Sequence, residues 1–99
     1  MIHKAKLPAV DAEKVAIQAL SFLAADPARL GRFLATTGIG PGEIRAAARE
    51  PRFLAGVLDH LADDESAMLA FSQEAGISLD LIARARTVLS GPPAERDIP

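Results

Sequence analysis

Three groups of residues have types and spacings that could do chemistry in this chain. The first is His60 with Asp59, Asp63 and Asp64. His60 and Asp64 stand four apart, which puts an imidazole and a carboxylate on one face of a helix, as a metal site or an acid–base pair requires. A stable zinc site needs three or four ligands, and one histidine beside acids that can cap helices supplies too few. His3 stands outside any patterned segment and adds nothing. The second group is Gly38, Gly40 and Gly42, a GxGxG. A phosphate-cradling glycine loop follows a strand; no strand-like alternation precedes these glycines, and helix capping accounts for them. The third is Arg45, Arg49 and Arg52, the first two on one helical face. They could meet phosphates or guanine edges if residues 36–49 form a helix-turn-helix. Against that, the second helix is short and rich in alanine, and it offers no Asn, Gln or Lys. The absence of cysteine removes disulfides, thiolate metal sites and cysteine nucleophiles. No nucleophile stands with a base. The expectation is a protein that is not an enzyme, with no catalytic residue, metal or cofactor.

The elements that would hold these groups are all helices. Of the 99 residues, 49% are hydrophobic, while aromatic residues make up 4% with neither Trp nor Tyr. A core of Leu, Ile, Val, Phe and abundant Ala on one domain follows, because alanine has the best helix propensity and lets helix axes approach closely. The fold class is all-α: a compact bundle of five or six short helices.

Residues 1–10 lack periodicity and read as a flexible tail. Asp11 can cap a first helix reaching about residue 25, with Val15, Ala16, Ala19, Leu20, Phe22 and Leu23 as a wide apolar surface that marks it as central. Asp26-Pro27 starts a second helix, an acceptor side chain followed by proline at the first helical position. Leu30, Phe33, Leu34 and Thr37 form its stripe. Gly38 ends it, since glycine enters the left-handed region without steric cost. Gly40 and Pro41 open a third helix over residues 41–49, with Glu43 in its first turn and Glu50-Pro51 ending it. A fourth over residues 51–62 has Leu54, Val57, Leu58 and Leu61 as the clearest stripe in the chain. Asp63 or Asp64 caps a fifth, with Met68, Leu69 and Phe71 apolar, unless the fourth and fifth are one kinked rod. Gly76 ends it. Ser78 caps a sixth, where Leu79, Ile82, Ala85, Val88 and Leu89 supply apolar contacts; Gly91-Pro92-Pro93 stops it, and residues 91–99 read as a second flexible tail. The single domain is residues 11–90.

A shift of 38 residues places Phe33 on Phe71, Gly38 on Gly76, Ile39 on Ile77, Ile44 on Ile82 and Asp26 on Asp64. Two three-helix units, each too small to close a core alone, would explain it. So would the narrow chemistry of helix caps.

The strings RFLATTG, FLAGVLDHLADDE and LAFSQEAGIS resemble those of a family of short bacterial proteins of unknown function. There FLA, a TG corner, FL..VLD.L and DE..L.AF recur in this order, and the likeness spans about residues 15–90. It implies a small all-helical domain and brings no functional residues with it.

Charge bears on partners. The formal net charge is −2, which gives no general attraction to nucleic acid or an anionic membrane. Residues 29–52 hold five arginines against Glu43 and Glu50, while residues 53–80 hold six acids and neither Lys nor Arg. Separated charges of this kind steer complementary association. With a mean hydropathy of +0.18, the expectation is an interaction module for a protein partner or a second copy, with nucleic acid second and no membrane. Its candidate surface is Arg45, Arg49, Arg52, Phe53 and Phe71, with Phe22 a further edge aromatic. No apolar run of signal-peptide or membrane-spanning length is present, so a cytoplasmic setting is expected.

Overall fold

The structure, a computed structural model, describes residues 7–90 of the chain. The expected tail residues 1–6 and 91–99, with the Gly91-Pro92-Pro93 stop, lie outside the described residues.

Helix α1 (Ala9–Ala24) begins three residues before the start that an Asp11 cap would give. Pro8 occupies the cap position with φ −62° and ψ 148°, and its carbonyl accepts from the N–H groups of Asp11 and Ala12, both at 3.0 Å. Proline's preset backbone thus makes the start, and Asp11 sits in the first turn, where its charge favours the positive end of the helix dipole. Ala12, Val15, Ala16, Ala19, Leu20, Phe22 and Leu23 are buried, and α1 packs most extensively on α6 (Leu79–Ser90) and α4 (Pro51–Ala62). It is the central rod.

Helix α2 (Pro27–Thr37) follows almost without a loop. The Asp26 carboxylate accepts from Ala28 N–H at 3.0 Å and Arg29 N–H at 3.4 Å, which satisfies two of the amides a helix start leaves open. At its other end Gly38 takes φ +77° and donates to the Leu34 carbonyl at 2.8 Å. Of the expected stripe, Phe33 alone is fully buried; Leu30 and Leu34 are half-buried.

The expected third helix is much shorter than residues 41–49. A 3-10 turn (Pro41–Glu43) leads into a single turn, α3 (Ile44–Ala47). Pro51 holds Glu50 extended at φ −94° and ψ 122°, so the chain unwinds after Ala47, and so few residues cannot offset the cost of nucleating a helix by themselves. Ile44 and Ala48 lie half-buried against the core, which anchors the segment.

Helices α4 and α5 (Glu65–Ala75) are separate rods. Asp64 is extended (φ −124°, ψ 94°) and its carboxylate accepts from Ala67 N–H at 3.1 Å, so one residue both breaks the first rod and caps the second. Gly76 takes φ +68°, and Ser78 Oγ then accepts from Leu81 N–H at 3.0 Å to start α6.

The repeat seen in the sequence extends to the structure. Shifting by 38 residues carries Pro27–Thr37 onto Glu65–Ala75 residue for residue, each capped by Asp and ended by left-handed Gly. The Phe22 and Phe71 rings lie 5.5 Å apart, and their repeat mates His60 and Phe33 lie 5.2 Å apart. Each contact joins one unit to the other, as an approximate two-fold relation requires. The symmetry fails at the third helices, twelve residues in α6 against four in α3. Among the described residues there is no strand, and no helix is long and apolar enough to cross a membrane.

Candidate functional site

The groups that could have done chemistry are mostly engaged in holding the fold. His60 is half-buried, with its ring edge-on to Phe33. The Asp59 carboxylate accepts from Arg86 Nε and Asp64 caps α5, so the residues around His60 are drawn apart. Among the described residues no three His, Cys, Asp or Glu groups converge as a metal site. In the GxGxG stretch Gly38 closes α2, and Gly40 N–H donates to Glu43 Oε1 at 3.1 Å while Glu43 N–H returns a bond to the Gly40 carbonyl at 2.9 Å. That reciprocal pair is a helix-start device. It uses the local donors itself.

Arg45, Arg49 and Arg52 are exposed, and none forms an ion pair with another described residue. Arg45 lies in the single turn of α3, Arg49 follows it and Arg52 is in the first turn of α4, so the corner lacks the long second helix that a helix-turn-helix lays in the major groove. Phe53 is half-buried, its ring edge-on to Phe33 at 5.7 Å. The expectation that Phe71 belongs to the surface needs correcting. It is 1% exposed, because α5 turns it inward against Phe22 of α1. Phe22 is itself buried, with the Arg29 guanidinium 4.7 Å from its ring centroid. The described part of the proposed surface therefore reduces to three arginines and the edge of Phe53.

Sequence reasoning missed a recess where the end of α4 meets α5 and α6. Its volume is about 460 Å³, and Met68, Leu69, Leu79 and Ile82 supply its apolar wall. Asp63, Glu65 and Arg86 also line it. Leu69 is 46% exposed and Leu79 47%, although both were expected to contribute to the core. Leu69 lies two residues from buried Ala67 and Phe71, off their inward stripe, and Leu79 is the first residue of α6, before the turn that faces inward. A strict helical-wheel reading of α5 would have marked Leu69. A smaller recess of about 340 Å³ includes Ile17, Phe22, Phe71 and Glu74.

No curated protein and no solved structure matches the chain. The family described as Protein of unknown function (DUF3572) matches residues 9–92, and the chain belongs to it.

Proposed function

We propose that this chain is a helical binding module that captures another polypeptide in the recess between α4, α5 and α6, in a cytoplasmic setting. The observation that supports this most is the pair Leu69 and Leu79, each nearly half exposed on a different helix and lining one recess. Apolar surface left in water forgoes about 25 cal/mol per Å². A recess that gathers such surface between two helices suits an apolar side chain, or the apolar edge of a helix, from a partner. Met68 beside them has an unbranched, polarizable side chain that fits variable shapes. Tagged full-length chain and its Leu69→Asp, Leu79→Asp double variant, matched for helicity by circular dichroism, test this in the source cells. A partner retained by the parent and lost by the variant is expected; equal recovery, or none with either chain, would remove the recess as the binding site.

A second reading is phosphate binding on nucleic acid through Arg45, Arg49 and Arg52, supported by their exposure without carboxylate partners among the described residues. With one helical turn at the corner, such binding would follow the backbone and not the sequence. Duplex DNA titrated at low and moderate salt against the Arg45→Ala, Arg49→Ala variant decides it. Absence of binding, or binding that the variant leaves unchanged, rules it out.

A further inference from the structure

The recess between α4, α5 and α6 has a charge as well as an apolar wall. Asp63 and Glu65, both exposed, line it at the junction of α4 and α5, and neither has an ion-pair partner among the described residues. Arg86, the cation in the lining, is held by Asp59, and Asp64 is taken up in capping α5. Residues 53–80 hold no Lys or Arg that could neutralise the two carboxylates from nearby in the chain. On α5, Glu65 and Leu69 stand four apart, so charge and apolar surface share one face about one turn from each other. We infer that the occupant of the recess is a basic amphipathic helix of a partner protein, with an apolar residue seated between Leu69 and Leu79 and a Lys or Arg one turn away that meets Asp63 and Glu65. This rests on the docking reading above and names the chemistry of its partner.

Each part of that description has its own cause. A partner cannot add a strand here, because the described residues contain no sheet edge, whereas a recess bordered by two helices receives the apolar face of a third. A small-molecule pocket buries most of its ligand. Walls whose leucines are nearly half exposed are too open for that and suit a broader surface. The carboxylates then select the sign of the partner's charge. A basic helix is drawn in, while an acidic one brings like charges together within the range that salt screens only in part.

Titration of the full, isotope-labelled chain with a defined peptide tests this. The peptide is an alanine-based helix of about 18 residues, long enough to hold its form, carrying two Leu on one face with a Lys one turn from each; a companion has Glu in place of Lys. Amide shifts caused by the Lys peptide should centre on residues 62–69 and 79–86, and the Glu peptide should bind there about tenfold more weakly. The Asp63→Asn, Glu65→Gln double variant, which keeps side-chain size, should weaken the Lys peptide several-fold and remove most of the gap between the two peptides. A Lys peptide that shifts nothing at about 1 mM, or that binds away from the recess, overturns the inference. Lys and Glu peptides that bind the recess alike, or a Lys peptide that the double variant binds as well as the parent does, overturn it too while leaving polypeptide docking standing. The capture comparison above turns on Leu69 and Leu79 and not on these carboxylates, so it decides the docking reading separately.

Discussion

Two glycines and two phenylalanines carry most of the weight at the scale of single residues. Gly38 and Gly76 occupy the left-handed region, and a methyl added at either would meet nothing within 4 Å. The cost of Gly38→Ala or Gly76→Ala is therefore backbone strain alone, about 1 to 2 kcal/mol each. Urea denaturation should report that loss with an unchanged slope, and the two losses should add, because the corners are separate. Phe33 and Phe71 are 0% and 1% exposed and each reaches across to the other unit. Phe71→Ala should cost about 3 to 5 kcal/mol, a large share of the stability a domain this small can have. A loss under 1 kcal/mol would mean that the ring is not packed as described. These positions were legible because their causes are local: a left-handed C-cap admits glycine, and an Asp before a helix accepts its first amides. Gly38, Gly76, Asp26 and Ser78 could all be assigned from the letters. Pro8 in place of Asp11 was not, because proline's fixed φ can set a helix start with no capping side chain.

Among the elements, α3 departs most from its expectation. Its four residues are followed by a chain that Pro51 holds extended, and none of its side chains is fully buried. Native-state hydrogen exchange should find its amides close to unprotected, while those in the middle of α1 and α4 open only with global unfolding. Protection of α3 equal to that of α4 would contradict the single-turn description. The start at Gly40-Pro41 and the stop at Glu50-Pro51 suggested a longer helix, because such signals bound a segment without saying how far a helix propagates between them. Helix length here is decided by the next proline and by nucleation cost. The separation of α4 from α5 was open for a similar reason: Asp63-Asp64 can cap or continue, and the extended backbone of Asp64 decides between them.

For the whole molecule, two related units share one core, with α1 at its centre and α6 completing one side more fully than α3 completes the other. The class of fold was readable from alanine content, stripes and caps. The recess was not, since it depends on how α5 and α6 sit against the end of α4. In the letters, Leu79 is indistinguishable from a leucine of the core, and Leu69 is set apart only by lying off the stripe of Ala67 and Phe71. The direct test of the docking account is a photo-crosslinking side chain placed at position 69, with position 49 on the arginine corner as comparison, in the full chain inside its source cells. The account predicts a discrete protein adduct, either a partner or a second copy, from position 69 and none from position 49. Adducts from position 49 with none from position 69 would contradict it.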